Sequence, residues 1–267
     1  MNDPDPWAFL KEHTVARIAQ GRTGHSLPTA ALLSFQLDHA RARDAVYSSL
    51  NTVVLLDQLK YIHPQYLHLQ SQATDRQTYL QRPDLGRKLD EVSRTLLRER
   101  NAPDRSGFDL GLVIADGLSA TAINQNALPV VSGLIHEAIL QGWTVAPVCM
   151  VEQGRVAIGD EIAHGLGARM LVVLIGERPG LSSPDSMGAY LTYSPRPGLT
   201  DESRNCVSNI RPDGLPGALA VEKIMYLLSE MKRRQLSGVK LKDDMPIRTS
   251  LHTSSPAAIG QTPETPD

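Results

Sequence analysis

The chain has 267 residues, of which 41% are hydrophobic and 21% are charged, and 27 Lys and Arg stand against 29 Asp and Glu for a formal net charge of -2. This composition is typical of a soluble globular protein with one large domain or two modest ones, and it excludes a disordered or fibrous chain. The near-neutral charge and the 4% aromatic content argue against a nucleic-acid binder that relies on phosphate neutralisation or base stacking.

Three features predict a cytoplasmic protein without a membrane anchor. The two cysteines, Cys149 and Cys206, lie far apart and match no metal-ligand spacing, which favours a reducing compartment. The acidic start over residues 1–6 is unlike a secretory or transit peptide. The longest apolar runs, such as residues 170–176, are too short to span a bilayer.

Residues 1–104 are predicted to form a helical region. A first helix is predicted over 28–48. Its apolar side contains Leu32, Leu33, Phe35, Leu37 and Ala40. A second helix is predicted over 84–99, with a stripe formed by Leu85, Leu89, Val92 and Leu96. Residues 101–107 carry Pro, Gly and capping residues without periodicity, and they predict a boundary near residue 105.

From residue 105 onwards, strands and helices are predicted to alternate. Short apolar runs predict three strands that are buried on both faces, over 110–115, 144–150 and 170–175. Helical stretches over 127–141 and 158–166 lie between them. This order predicts an α/β fold with a parallel sheet and right-handed crossovers.

The end of the chain is predicted to contain fewer elements. A weaker strand is predicted over 189–193, and a last long helix over 216–236, with basic residues favourably placed at the negative end of the helix dipole. The tail over 241–267 is rich in Pro, Ser and Thr, and we expect it to be flexible.

A ligand site is predicted where the strands end, because ligands of open parallel sheets bind beyond the carboxyl ends of the strands. Three loops follow the three predicted strands, at 116–119, 152–156 and 176–180. Each contains glycine, which lets the backbone approach a ligand closely. For any single loop a simple turn remains the stronger interpretation, but three in succession favour a site.

Familiar catalytic and nucleotide-binding motifs are missing from the sequence. The loop after the first predicted strand reads Asp-Gly-Leu-Ser at 116–119 rather than a G-x-G-x-x-G fingerprint. No phosphate loop ending in Gly-Lys-Ser/Thr and no G-x-S-x-G elbow occurs, and the histidines form no ligand spacing. The residues by themselves therefore indicate a ligand-binding domain without a catalytic machine.

Several segments, in order and spacing, resemble the small subunit of ethanolamine ammonia-lyase. They are Leu-Val-Ile-Ala-Asp-Gly-Leu-Ser at 112–119, Gly-Arg-Val at 154–156, Gly-Glu-Arg-Pro-Gly-Leu at 176–181, Tyr-Ser-Pro-Arg at 193–196 and Asn-Cys-Val-Ser-Asn-Ile at 205–210. Segments at 14–18 and 79–87 resemble the N-terminal motifs of that family. The resemblance covers roughly residues 7 to 240.

The resemblance implies a subunit of an adenosylcobalamin-dependent lyase that converts ethanolamine to acetaldehyde and ammonia by radical chemistry. In this family the large subunit binds ethanolamine and carries the chemistry, and the small subunit closes over cobalamin at the interface. Residues 105–240 are then a Rossmann-like cobalamin-binding domain, and residues 1–104 contact the large subunit through the apolar faces at 28–48 and 84–99. The chain alone is expected to have no activity.

The resemblance also places three residues at positions that contact cobalamin: Val156, Glu177 and Cys206. Val156 would offer a small apolar contact, and Glu177 could accept hydrogen bonds from amide or ribose groups. Without the resemblance, Val156 is interpreted as a core residue, Glu177 as a surface or capping carboxylate beside Arg178, and Cys206 as a buried structural thiol. Arg155 and Arg178 are secondary candidates that could reach the cofactor phosphate.

No residue of this chain is expected to ligate cobalt. Cobalamin domains that replace the lower axial base use an Asp-x-His-x-x-Gly loop after the first strand, and this chain has Asp116-Gly117-Leu118-Ser119 there. Cobalamin is therefore expected to keep its own benzimidazole on the metal. The sequence begins near the shared core without the long extension that directs some family members into microcompartments, so encapsulation is left open.

Two other functions remain open from the sequence. One is a subunit of an α/β oxidoreductase that binds a dinucleotide, which the missing glycine fingerprint disfavours. The other is a scaffold subunit that binds a partner but no cofactor.

Overall fold

The computed structural model describes residues 5–14, 16–100 and 107–246. The boundary predicted at 101–107 falls almost wholly outside these ranges, and so does the tail beyond residue 246. The division of the chain near residue 105 and the flexible tail therefore stay predictions.

A mixed six-stranded sheet forms the centre of the fold. Its strands are β1 (Tyr66–Gln70), β2 (Leu110–Ala115), β3 (Val148–Glu152), β4 (Met170–Gly176), β5 (Met187–Tyr193) and β6 (Arg204–Ile210). Their spatial order is β1-β3-β2-β4-β5-β6. β5 runs antiparallel to β4 and β6, and the other neighbouring pairs are parallel.

Helices cover both faces of this sheet. They are α1 (Thr29–Tyr47), α2 (Thr52–Ile62), α3 (Arg76–Gln81), α4 (Glu91–Arg100), α5 (Ala120–Leu140), α6 (Ile158–Leu166) and α7 (Gly217–Arg234). α2, α5 and α7 contribute to the apolar cluster on one face, and α4 and α6 contribute to the cluster on the other. None of the helices within the described residues combines the length and apolar character needed to cross a membrane.

The α/β character of the fold is confirmed, but a purely parallel sheet is not. The three strongly apolar runs form β2, β3 and β4, although β3 begins at Val148 rather than at residue 144. The weaker strand at 189–193 lies within β5, which is antiparallel to β4. The connection over 177–186 contains no helix, and parallel neighbours need a longer crossover connection, usually a helix.

The prediction that residues 1–104 contain only helices is wrong at residues 66–70. These residues form β1, which pairs with β3. Leu67 and Leu69 are buried and His68 between them is exposed, which is the alternation of a strand with one face on the core. The N-terminal region therefore contributes an edge strand to the same sheet.

The helix predicted over 84–99 begins later, at Glu91. Asp90 determines this start, because its Oδ1 accepts a hydrogen bond from the backbone N–H of Ser93 at 2.7 Å, as an N-cap does. The predicted apolar stripe does not form: Val92 is 69% exposed, and the buried face of α4 carries Ser93 and Leu97 instead.

A buried ion pair joins the far side of the sheet to α6. Both terminal nitrogens of Arg204 in β6 bond to the Asp160 carboxylate of α6, at 2.7 and 2.6 Å, and both side chains are almost fully buried. Thr192 of β5 accepts a further hydrogen bond from Arg204 at 3.1 Å. This pair fixes the position of α6 relative to β5 and β6.

Both edge strands contact other parts of the chain. On the outer side of β1, the backbone of Gln70 bonds to the Ser93 hydroxyl and to the N–H of Asp90, so this position cannot pair with a further strand. At β6, the Asn205 side chain bonds to the backbone of Gly238 and Leu241 and holds this segment beside the strand.

Candidate functional site

The first strand-end loop, 116–119, closes the crevice between β2 and β4 and does not line an open site. The N–H of Leu118 donates to the carbonyl of Gly176 at 2.9 Å, and the Ser119 hydroxyl donates to the carbonyl of Pro184 at 2.7 Å. A Cβ atom at Gly176 would collide with the backbone of Ser119 and Asp116. The expectation that all three loops present a binding surface is therefore wrong for this loop, because its own backbone fills the space.

Asp116 in this loop instead holds two loops together. Its buried carboxylate accepts backbone hydrogen bonds from Gly117 and Gly154 at 3.0 Å each and from Gln153 at 2.9 Å. The guanidinium of Arg76 lies 3.8 Å away. Burial raises the pKa of Asp116 to about 6, and the backbone donors and Arg76 oppose this rise. The loop after β3 therefore has a fixed conformation.

Two arginines lie over the aromatic ring of Tyr79 beside this carboxylate. Tyr79 of α3 is buried, and the guanidinium carbons of Arg76 and Arg155 lie 4.7 and 4.1 Å from its ring centroid. Arg76 also donates to the carbonyl of Gly117 at 2.7 Å. These contacts position Arg155 and the residue that follows it.

Val156, the first predicted contact, is half-buried and lines a cleft of about 520 Å³. The cleft lies between the start of α6, the 3₁₀ turn Leu85–Arg87 and the segment 197–201, and we call it the α6 cleft. Val156 also packs against the apolar cluster beneath α6. Its side chain therefore borders both the core and an open concave surface.

Glu177, the second predicted contact, follows β4 directly and is half-buried. Its Oε2 accepts hydrogen bonds from the Ser186 hydroxyl at 2.5 Å and from the N–H of Asn209 at 3.1 Å. No described residue donates a hydrogen bond to its Oε1, which lies near Gly188. Arg178 is exposed and makes no ion pair with Glu177 in the described part of the chain. One carboxylate oxygen is thus fixed, and the other accepts no hydrogen bond from a described residue.

Cys206, the third predicted contact, lies within β6 opposite Tyr190. The interpretation of this residue as a buried thiol is wrong: Cys206 is exposed, whereas Cys149 in β3 is buried. Partial burial of the thiol and the nearby Glu177 carboxylate raise the pKa of Cys206, and a hydrogen bond with Tyr190 opposes them. The thiol therefore stays protonated at neutral pH and is not an activated nucleophile.

Tyr190 links two of the three predicted residues. Glu177 and Cys206 both interact electrostatically with Tyr190. Tyr190 and Val156 pack against the same apolar cluster. Sequence reasoning missed Tyr190, although it lies in the weaker predicted strand.

Comparison with known proteins gives a consistent result over nearly the whole chain. A family profile described as ethanolamine ammonia-lyase light chain (EutC) matches residues 4–242. The ethanolamine ammonia-lyase small subunit of Azotobacter vinelandii is 55% identical over 240 residues, covering 90% of this chain and 89% of that protein. The small subunit of Pseudomonas putida strain F1 is 52% identical over 258 residues, covering 96% and 95%. That of Ralstonia nicotianae is 54% identical over 239 residues, covering 90% and 88%.

The buried carboxylate leads to a prediction about pH and stability. Because the pKa of Asp116 is raised from 3.8 to about 6 by folding, the folded state binds this proton more tightly than the unfolded chain. Its contribution to the free energy of unfolding is therefore present below about pH 4 and is lost as the pH rises through about 6, a change of about 3 kcal/mol. Urea unfolding followed by circular dichroism between pH 4 and 7 measures it.

The variant Asp116→Asn cannot titrate at this position. Lowering the pH from 7 to 4 should raise the free energy of unfolding of the unchanged protein relative to that of the variant, because only the unchanged protein takes up a proton at this position. Equal pH dependence of the two proteins would show that Asp116 ionises in the folded state as it does in the unfolded chain.

Proposed function

This chain belongs to the ethanolamine ammonia-lyase light-chain family, and we propose that it helps to bind adenosylcobalamin at its interface with the large subunit of the enzyme. The proposed reaction converts ethanolamine to acetaldehyde and ammonia. The family match over residues 4–242 supports the subunit assignment. The cofactor assignment rests on the carboxylate of Glu177.

The free Oε1 oxygen of Glu177 carries the cofactor proposal. Cobalamin has a rim of amide side chains and a ribose, and these groups supply N–H and O–H donors for a carboxylate oxygen. Ser186 and Asn209 hold the other oxygen, so the carboxylate keeps its orientation without a ligand. Charge-assisted hydrogen bonds of this kind are stronger than neutral ones.

The neighbouring residues fit the same cofactor. The neutral thiol of Cys206 and the phenol of Tyr190 each offer a polarisable surface with one S–H or O–H group. Val156 offers an apolar contact. The α6 cleft, with a volume of about 520 Å³, is too small to hold a whole cobalamin molecule. Binding at an interface with the large subunit would enclose the rest of the cofactor.

The chemistry and the binding are divided between cofactor and protein. Adenosylcobalamin, when bound, supplies a cobalt–carbon bond that breaks homolytically. The described side chains of this subunit bind and orient the cofactor and help to exclude water from the interface. They include no activated nucleophile at the proposed surface, because the pKa of Cys206 is raised.

The contact with the large subunit is proposed to include α1. In this 19-residue helix Ala45 is the buried residue, and the apolar side chains on its surface are exposed. The exposed residues are Leu32, Leu33, Phe35 and Leu37. A contiguous exposed apolar face of this kind marks a protein interaction site.

Coexpression with the large subunit tests the proposed function as a whole. We expect the complex to release acetaldehyde from ethanolamine only when adenosylcobalamin is added, and the isolated chain to release none. Turnover by the isolated chain would overturn the division of roles. A complex that is active but binds no cobalamin through this subunit would favour a scaffold role instead.

Glu177→Ala should weaken cofactor retention in the complex. Loss of a charged hydrogen-bond partner costs about 1–3 kcal/mol, so about ten-fold or more in the dissociation constant is expected. Equilibrium dialysis with adenosylcobalamin measures it, and Glu99→Ala, on the exposed surface of α4, is the control. Unchanged retention in an intact complex would contradict the role given to Glu177.

The α1 face gives a second prediction. Leu33→Asp and Leu37→Asp together should prevent copurification with a tagged large subunit, because both side chains are more than half exposed and would bring charges into an apolar interface. Leu140→Asp, at the exposed end of α5, is the matched control. Copurification of the double variant at the level of the control would exclude α1 from the interface.

A further inference from the structure

We propose that the α6 cleft binds the phosphodiester group of the cofactor's nucleotide tail, with Arg87, Lys88 and Arg155 as its cationic ligands. This inference rests on the proposed function. It assigns to Arg87 and Lys88 a binding role that follows from their positions in the cleft.

The cationic side chains of the α6 cleft form no salt bridge among the described residues. Arg87 and Lys88 are exposed, and Lys88 interacts electrostatically with the Asp84 carboxylate without forming a salt bridge to it. Arg155 stacks on Tyr79 and donates to its carbonyl at 3.1 Å, which leaves its charge unpaired. Three positive charges therefore border one concave surface.

Two of the three acidic side chains that line the cleft are paired within the protein. Asp160 is bound by both terminal nitrogens of Arg204, and Glu161 is bound by Arg94 at 2.6 Å. Asp201 at the rim is exposed, and the Arg204 guanidinium 3.7 Å away is already paired with Asp160. Three cations therefore border the cleft against one remaining carboxylate, so the cleft favours an anionic ligand.

Arg155 is held in place for such a ligand by its neighbours. Its backbone N–H donates to the carbonyl of Gly86 at 2.7 Å, which joins the loop after β3 to the turn that carries Arg87. A Cβ atom at Gly86 would lie 2.9 Å from the Cγ atom of Arg155, so this close approach requires glycine.

The size and walls of the cleft favour an organic phosphodiester over a bare anion. A volume of about 520 Å³ is in the range of clefts that hold drug-sized molecules. Val156, Ala157, Pro197 and Leu199 supply apolar wall beside the cations. A nucleotide tail combines one negative charge with a ribose and an apolar base, which matches this mixture. Val156, one residue of the proposed cofactor surface, also lines this cleft.

The test uses the complex with the large subunit and two probes. Cyanocobalamin carries the phosphodiester tail, and dicyanocobinamide lacks it. For Arg87→Gln/Lys88→Gln we expect the dissociation constant of cyanocobalamin to rise about ten-fold and that of dicyanocobinamide to stay unchanged, as measured by equilibrium dialysis. The control, Arg169→Gln/Arg233→Gln, removes the same charge at exposed positions outside the cleft, before β4 and in the last turn of α7, and should change neither value.

A second measurement does not depend on cobinamide binding. The dissociation constant of cyanocobalamin should rise more steeply with ionic strength in the unchanged complex than in the Arg87/Lys88 variant, because screening weakens the removed contacts. Equal salt dependence, or equal weakening of both probes, would overturn the inference. If inorganic phosphate does not compete with cyanocobalamin in the unchanged complex or in the Arg87/Lys88 variant, the cleft does not bind phosphate and the inference also fails. A complex that binds no cyanocobalamin at all would instead refute the proposed function.

Discussion

The carboxyl edge of the sheet depends on one buried charge, the carboxylate of Asp116. A buried carboxylate is tolerated only where donors surround it, and here the donors are three backbone N–H groups from two loops, with Arg76 nearby. The N–H groups of Gln153 and Gly154 both donate to this carboxylate, and these bonds hold the backbone of the loop after β3 in place. Arg155 and Val156 follow directly in the sequence. The buried carboxylate therefore helps to position two residues of the proposed cofactor surface.

The apolar strands were predictable because burial on both faces leaves a continuous hydrophobic run, as in β2 and β4. β1 has a weaker but real signal, the alternation around His68, and it was missed because the neighbouring helical patterns dominate. β6 has neither an apolar run nor a two-residue alternation, because its buried residues are Arg204, Val207 and Ile210, and the residues between them, including Cys206, are exposed or half-buried. The antiparallel direction of β5 could have been inferred from the connection over 177–186, which is too short for a crossover helix.

For the candidate site, the sequence alone located the strand ends, and Glu177 lies at one of them. It could not locate Cys206, because β6 has no continuous apolar run that would predict a strand there. Tyr79 and Arg76 were also missed, because Tyr79 contacts Arg155, 76 positions away, and Arg76 contacts Gly117, 41 positions away. Long-range contacts of this kind leave no local periodicity that a reader of the sequence can recognise.

The edge strand β1 limits how this subunit can assemble. The backbone of Gln70 on β1 is already bonded to the Ser93 hydroxyl and to the N–H of Asp90. A strand from another polypeptide therefore finds no free backbone groups at this position to extend the sheet. Contacts with a partner at this position are left to side chains, and one route by which exposed edges lead to fibrous aggregation is blocked there.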